Sequence, residues 1–221
     1  MASEDRGEAP VRLISVNTGR PREIAVDKHI VQTSIWKSPR EGRLRVATLN
    51  IEGDEQSDLT VHGGPYKAVY CYPSEHYAYW REQFPGMDLP WGVFGENLTT
   101  QGLLETGVCI GDRFQIGTAE FQVTQPRSPC FKLGIRFGRD DMIKRFLASG
   151  RSGFYVSVVR EGDIARGDDI RVVERAAGSM SVRDIFVLHF DDEGKEDALR
   201  RAAGLPGLSP GWRDHFRKRA S

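Results

Sequence analysis

Residues 108–132 read VCIGDRFQIGTAEFQVTQPRSPCFK, and this stretch decides which fold the sequence predicts. It contains three short β-rich runs, at 108–110, 113–116 and 120–123, which glycine and polar residues separate. Further runs of the same kind lie at 11–17, 42–49, 69–72, 154–159 and 169–173. Because turns and not long helices separate most of these strands, we expect a mainly β fold built on a closed or nearly closed antiparallel barrel.

Helical patterns are short and lie mostly near the end of the chain. They are predicted at 74–84, 140–149, 181–190, 195–203 and 210–220. Together with the strands, they predict a disordered tail over 1–10, a β-barrel domain over 11–177 and a three-helix domain over 178–221. The last domain carries no cysteine and none of the candidate ligand loops, so we predict that it is dispensable for cofactor binding and packs against the barrel or docks a partner.

The composition is that of a neutral protein with few cysteines. The 221 residues include 31 basic and 31 acidic side chains, and the pI is about 7.0. This balance argues against bulk nucleic-acid or membrane binding, so an anionic ligand needs a local cluster of cations. Three cysteines without a CxxC pair argue against a disulfide framework or a zinc ribbon. With a polar N-terminus and no stretch of membrane-spanning length, we expect a cytoplasmic protein.

Cys130 lies in a short segment that two prolines make rigid. Pro126 and Pro129 each restrict φ and favour an extended conformation in the residue before them, so we predict a non-helical loop over 125–132. Arg127 and Lys132 flank the thiol, and nearby positive charge favours the thiolate, the form that attacks electrophiles and binds metals. The residues alone leave two interpretations open: a reactive cysteine and a small buried hydrophobe.

Two further stretches have the composition of ligand-binding loops. His62-Gly63-Gly64-Pro65, followed by Lys67, combines backbone N–H groups that can approach an anion with two side-chain donors. The stretch 94–98, Phe-Gly-Glu-Asn-Leu, places a glycine and two polar groups between apolar neighbours, as ligand pockets do. Each stretch is equally compatible with a simple turn.

Several common motifs are missing from the sequence. No GxGxxG, P-loop, HExxH or GxSxG pattern occurs, which removes the usual nucleotide, zinc-protease and serine-hydrolase interpretations. His62, Cys71 and His76 form an alternative metal set, although their spacing matches no zinc pattern.

These loops together resemble those of MOSC proteins, which are named for the C-terminal domain of molybdenum cofactor sulfurases. The resembling stretches are Gly53-Asp54-Glu55-Gln56, His62-Gly63-Gly64-Pro65 with Lys67-Ala68-Val69, Tyr72-Pro73 with Glu75-His76-Tyr77, 94–98, Gly111-Asp112 and 125–133. The order of domains resembles the stand-alone bacterial branch linked to resistance against hydroxylaminopurine, in which a MOSC barrel precedes three helices. The resemblance covers nearly the whole chain from about Val11.

The resemblance implies a molybdopterin cofactor with Cys130 as the protein thiolate on molybdenum. Soft thiolates suit metals that already carry sulfur donors, as the dithiolene of this cofactor does. The residues implied in cofactor binding are His62, Gly63, Gly64, Lys67, Gly95, Asn97, Arg127, Ser128 and Lys132. The catalytic residues implied are Cys130 and, as proton donors, His62, Asp54 and Glu96.

The implied activity is the reduction of N-hydroxylated compounds, such as hydroxylaminopurine-type base analogues, to amines. The chain has no haem, iron–sulfur or dinucleotide motif, so we expect an external electron donor, namely an NADPH-dependent flavin reductase. The alternatives are a non-catalytic carrier that uses Cys130 to deliver molybdenum cofactor or sulfur, and a barrel binding module without a cofactor. The chain is compatible with a homodimer.

Overall fold

The computed structural model describes residues 11–26, 29–57, 62–191 and 193–220, and these residues form twelve strands and six α-helices. The strands are β1 (Arg12–Thr18), β2 (Arg22–Val26), β3 (His29–Thr33), β4 (Ser38–Pro39), β5 (Arg43–Val46), β6 (Val69–Pro73), β7 (Leu98–Gln101), β8 (Arg113–Ile116), β9 (Ala119–Pro126), β10 (Phe154–Arg160), β11 (Gly162–Ala165) and β12 (Ile170–Glu174). The helices are α1 (His76–Gln83), α2 (Phe131–Phe137), α3 (Met142–Ser149), α4 (Val182–Phe190), α5 (Glu196–Ala203) and α6 (Pro210–Arg219). The prediction of a mainly β fold is confirmed, whereas the predicted tail over 1–10 lies outside the described residues.

Eight strands form one sheet in the order β12-β8-β9-β10-β6-β7-β1-β4. The sheet is not a closed antiparallel barrel, because β12 and β4 are its edges and β6 pairs with β7 in parallel. A single bridge between Arg12 and Asp169 brings β1 and the start of β12 together, where Leu13 N donates to Asp168 O at 3.0 Å. The sheet is therefore strongly curled but open. Strands β5 and β11, and β2 and β3, form separate antiparallel pairs.

The loop predicted over 125–132 is shorter than expected. Gln125 and Pro126 end strand β9, and Phe131 and Lys132 begin helix α2. Cys130 directly precedes that helix, with extended backbone angles of φ −121° and ψ 170°. The rigid non-helical segment is thus residues 127–130, which is the part that fixes the thiol.

Two apolar clusters hold the fold together. The larger cluster fills the inside of the curled sheet and continues into the C-terminal helices through Ile185, Leu199 and Phe216. The smaller, which we call the aromatic cluster, contains Tyr70, Tyr72, Tyr77, Trp80, Phe94, Phe137 and Phe146 together with smaller apolar residues. Because rings of this cluster pack at centroid distances of 4.6–6.4 Å, they form a stiff base under the loops that follow β6 and β9.

The three helices predicted at the end of the chain are present as α4, α5 and α6. Ser181 caps α4 by a reciprocal capping box with Asp184. The predicted strand at 108–110 is instead a turn that joins this region to the sheet, since Ile110 N donates to Met180 O at 3.0 Å and Val182 N to Val108 O at 2.8 Å. The exact domain boundary near residue 177 stays a prediction. Among the described residues, no helix is long and apolar enough to cross a membrane.

Candidate functional site

A cleft of about 590 Å³ opens where the loops that follow β3, β5 and β9 meet the turn that precedes β7. Nine of the residues singled out in the sequence line it: Asp54, His62, Gly63, Lys67, Gly95, Asn97, Arg127, Cys130 and Lys132. These residues come from four separated segments, so the fold brings the predicted loops to one place. Tyr70 and Tyr155 complete one apolar side of the lining.

Asp54 is the centre of a buried hydrogen-bond network on one wall of the cleft. Its Oδ1 accepts from Gly19 N at 2.8 Å and from Lys37 Nζ, and its Oδ2 accepts from Asn97 Nδ2 at 2.9 Å. Asn97 Oδ1 in turn accepts from Tyr70 N at 3.1 Å, which ties the network to β6. The carboxylate is therefore held in one orientation by three donors.

Lys37 is the partner of Asp54 and a residue that sequence reasoning did not single out. Its side chain is only 8% exposed and lines the same cleft. Burial lowers the pKa of the Lys37 ammonium, because desolvation disfavours its charge more than Asp54 restores it. A buried lysine that is easier to deprotonate than usual is suited to releasing a proton inside the cleft.

Arg127 lies at the floor of the cleft, on top of the aromatic cluster. Its guanidinium donates to Phe94 O at 2.5 Å and stands 4.7 Å from the centre of the Tyr70 ring. Only 5% of the residue is exposed, so its charge acts at short range in a poorly solvated place. Lys132, on α2, is also buried and lines the cleft, whereas Lys67 is half-buried and burial lowers its pKa.

Cys130 is a half-exposed free cysteine that lines the cleft. The backbone around it is anchored on both sides: Arg127 N donates to Gly153 O at 3.4 Å, and Leu133 N donates to Cys130 O at 2.9 Å. The cations of Arg127 and Lys132 lie in the same lining. The structure thus presents a soft donor atom in a cationic cleft, although the thiolate character of Cys130 stays a prediction.

The two glycine-containing loops differ in what they contribute. Gly95 has a φ of 81°, and an added Cβ would lie 2.9 Å from Ile35 Cγ1, so only glycine lets this turn approach the cleft without a shift. Gly63 lines the cleft, whereas Gly64 does not and instead precedes the 3₁₀ turn Pro65–Lys67. Of the predicted pair of backbone donors, Gly63 is in the lining of the cleft, and the role of Gly64 stays a prediction.

The carboxyl group of Glu96, predicted as a proton donor, does not line the cleft. Its side chain is fully buried outside the cleft lining and accepts from Tyr77 Oη, from Gly92 N at 2.7 Å, from Phe94 N at 3.2 Å and from Thr99 Oγ1 at 3.0 Å. Burial raises the pKa of this carboxyl, against the pull of these donors. Glu96 therefore fixes the turn that carries Gly95 and Asn97 and does not face a ligand.

A wider groove of about 1360 Å³ adjoins the cleft and shares its mouth. Cys130, Lys67, Lys132, His62, Ser57 and Tyr155 line both spaces. Ser128, predicted as a cofactor contact, lines only the groove, together with Gln125, Phe131 and Trp212. Trp212 belongs to α6, so the C-terminal domain contributes a wall of the groove, whereas its dispensability for cofactor binding stays a prediction.

The alternative metal set of His62, Cys71 and His76 is not assembled. His76 Nε2 lies 2.7 Å from Glu105 Oε2 in a buried pair, and Cys71 is fully buried in the core. Burial raises the pKa of the Cys71 thiol, which leaves it an inert core residue.

Lys37, Tyr70, Tyr155 and Trp212 are among the lining residues for which the sequence predicts no role in binding. Lys37 stands in no motif, and only its pairing with Asp54 in space reveals it. Trp212 opens a helix far along the chain, where an aromatic residue is usually part of a helix interface. The sequence predicts Gln125 in the loop over 125–132, whereas the structure places it on β9, where it is buried.

Comparisons with known proteins agree with the resemblance seen in the sequence. The MOSC domain model matches residues 58–171, and the model of the YiiM-like, 3-alpha helix domain matches residues 180–220. YflK of Bacillus subtilis, an uncharacterized protein, is 39% identical over 207 residues, which are 94% of this chain and 93% of YflK. The crystal structure of YiiM from Geobacillus stearothermophilus is 36% identical and superposes with a TM-score of 0.82 over 96% of this chain and 100% of that one.

A fungal relative carries a name that describes an activity. A protein of Gibberella moniliformis named reductase is 36% identical over 179 residues, which are 80% of this chain but 32% of the fungal protein. Lys37 and Asp54 precede the segment that the MOSC domain model matches, so part of the cleft lies outside that segment. The two domain matches and the full-length structural likeness lead to one conclusion: this chain belongs to the MOSC domain family and carries a YiiM-like three-helix domain at its C-terminus.

Proposed function

We propose that this protein reduces N-hydroxylated compounds, such as hydroxylaminopurine-type base analogues, to amines with a molybdenum cofactor bound in the cleft. The observation that carries the proposal is the presence of the free thiol of Cys130 in the same lining as Lys67, Arg127 and Lys132. A soft sulfur donor beside cations is a rare combination in a chain whose net charge is zero. The name of the fungal relative supports a reductive activity.

The donor set of the cleft fits this cofactor chemically. A thiolate from Cys130 suits a metal that already has sulfur donors, and the phosphate of a pterin needs charged donors, which Lys67, Arg127 and Lys132 offer. Gly63 N–H and the side chains of His62 and Asn97 belong to the same lining. When bound, the cofactor supplies the two-electron redox chemistry, while the protein positions the substrate and delivers protons.

Proton delivery is the part of the reaction that this chain's own residues perform. Cleavage of an N–O bond to give an amine and water consumes two electrons and two protons. We assign the first proton to Lys37 Nζ, which Asp54 orients within the cleft. His62 lines both the cleft and the open groove, and an imidazole exchanges protons near neutral pH, so we assign it the resupply of protons from solvent.

We propose that the electrons come from a partner protein. The sequence contains no haem, iron–sulfur or dinucleotide motif, so the partner that we propose is an NADPH-dependent flavin reductase. We place the reaction in the cytoplasm, where reducing conditions keep a free thiol such as Cys130 available. Homodimer formation is a further proposal that neither electron transfer nor the cleft requires.

Turnover measurements on the protein purified with its cofactor test the proposal. Molybdenum and pterin contents are determined first, and hydroxylaminopurine is then supplied with reduced viologen, with NADPH alone, or with NADPH and a flavin reductase. We expect adenine to form with viologen and with the reductase, but not with NADPH alone. If molybdenum is bound but no reductant gives turnover, the result would reject the reductase and favour the alternative, a carrier of cofactor or sulfur.

Removing charge from the rim of the cleft is expected to weaken cofactor retention. In a Lys67→Ala/Lys132→Ala variant, each lost charge-assisted hydrogen bond to a phosphate costs roughly 1.5–3 kcal/mol, or about 10–150-fold in affinity. Cofactor content after extensive dialysis, measured as molybdenum per chain, gives the result. Lys144→Ala removes one exposed lysine from α3, outside the cleft, and serves as the control. Full retention by the double variant would show that other groups hold the phosphate.

A further inference from the structure

The groove beside the Cys130 cleft has walls suited to a flat ring. Ile30 and Phe131 line it, although 71% of Ile30 and 55% of Phe131 are exposed, which is unusual for large apolar side chains. Trp212 lines the same groove from the C-terminal domain. Aromatic side chains bind nucleobases and similar rings by stacking, because every such ring offers a π face.

Trp212 is held in place by its own domain. Its ring centroid lies 4.6 Å from that of His189 on α4 and 5.8 Å from that of Phe216 on α6. These two neighbours restrict the Trp212 ring, so it loses little freedom when a ligand stacks on it, which favours binding. The C-terminal helices thus present a rigid aromatic surface to the mouth of the cleft.

Gln125 provides a second, independent sign that a ligand binds in the groove. It is only 3% exposed and lines the groove, and its Oε1 has no hydrogen-bond partner among the residues that the structure describes. A buried acceptor without a partner is costly in a native protein, and a ligand N–H group can satisfy it. A neutral amide acceptor favours a neutral N–H donor over an anion.

We infer that this groove binds the ring of the substrate, so that Trp212 and Phe131 select planar nitrogen heterocycles with an N–H donor and Gln125 accepts that hydrogen bond. Because the groove and the cleft share Cys130 and Lys132, a ring bound in the groove lies beside the residue that we propose as the metal ligand. The inference rests on the proposed function and names the residues that recognise the ring of its substrate. It also gives the three-helix domain a direct role in specificity.

The inference is tested by ring binding and by substrate discrimination in the full-length protein. Adenine, the reduction product of hydroxylaminopurine, is titrated by calorimetry into the wild type, Trp212→Ala, Trp212→Phe, Phe131→Ala and Gln125→Leu. We expect Trp212→Ala and Phe131→Ala each to weaken adenine binding by about tenfold or more, Trp212→Phe to restore most of the affinity, and Gln125→Leu to weaken it by about tenfold. Tyr79→Ala, which removes a half-buried ring of α1 outside the groove, should leave it unchanged.

Kinetics with reduced viologen separate a substrate site from a docking site. We expect KM for hydroxylaminopurine to rise about tenfold or more in Trp212→Ala and Phe131→Ala, while kcat/KM for N-methylhydroxylamine, which has no ring, and molybdenum content stay at wild-type levels. Because Phe131 is exposed, its truncation keeps the test valid even if Trp212→Ala fails to fold.

Unchanged KM and adenine affinity in both variants would overturn the inference while leaving the reductase intact. Rates that fall only with the flavin reductase, and not with viologen, would also overturn it and make the groove a protein-docking surface. Adenine binding that depends on Trp212, without turnover in any protein, would keep the groove and reject the reductase.

Discussion

Replacing Cys130 with serine is expected to lower the molybdenum content of the purified protein by at least about tenfold and to abolish turnover with reduced viologen. A serine hydroxyl is a hard, protonated donor, so it binds a metal with sulfur ligands more weakly than a thiolate does. Among the described residues that line the cleft, Cys130 is the only one with a sulfur atom. Metal analysis and pterin content of parallel preparations give the result directly, independently of activity.

Cys109→Ser is the matched control for this variant. Cys109 is half-exposed and free like Cys130, but it lies beside Ser181 and lines neither the cleft nor the groove. Cys71 is less suitable, because it is fully buried in the core and its replacement would change packing. Thermal unfolding of each variant verifies that it is folded. Equal molybdenum and equal turnover in the wild type and Cys130→Ser would refute the assignment of Cys130 as the metal ligand.

The elements of the fold that could be predicted are those whose signal is local. Strand β8 was predicted with its exact bounds, because alternation of apolar and polar residues between glycines is sufficient to define it. Helix α2 was missed, since Pro129 and Gly134 argue against a helix while the packing of Leu133 and Phe137 on the aromatic cluster stabilises one. The open edge of the sheet depends on long-range register, which no short pattern encodes.

Some residues of the candidate site could likewise be predicted from local sequence, whereas others could not. Sequence motifs located the loops of Asp54, Gly63, Asn97 and Cys130, since loops that carry special residue types are recognisable without a fold. They did not show which way a side chain faces, so Glu96 was grouped with Asn97 although it is buried on the other side of the turn. Pairs that form only in space, such as Lys37 with Asp54 or Trp212 with the groove, have no sequence signature. Lys37 and Asp54 precede the segment that the MOSC domain model matches, and Trp212 follows it.

Lys37→Met is expected to lower the turnover number with reduced viologen on the order of 10²–10⁴-fold, because it removes the proton donor that we assign to the cleft. In the wild type, burial lowers the pKa of Lys37, and the donor is lost as the pH rises through that lowered value. Turnover should therefore decline on the alkaline side at a pH below 10.5, the ordinary value for lysine. The residual activity of Lys37→Met should lack this decline, and a pH profile of each protein tests both statements.

The same substitution also affects folding, so a second variant is needed to separate the two effects. Lys37→Met leaves the carboxylate of Asp54 buried without its cation, which costs about 3–5 kcal/mol in free energy of unfolding. The double variant Lys37→Met/Asp54→Asn removes both charges and should regain most of that stability, yet its turnover should stay as low as that of Lys37→Met. Lys144→Met, on the exposed face of α3, controls for the loss of a lysine elsewhere. Recovery of turnover together with stability in the double variant would show that Lys37 serves only to neutralise Asp54, and the proton would then have to come from His62.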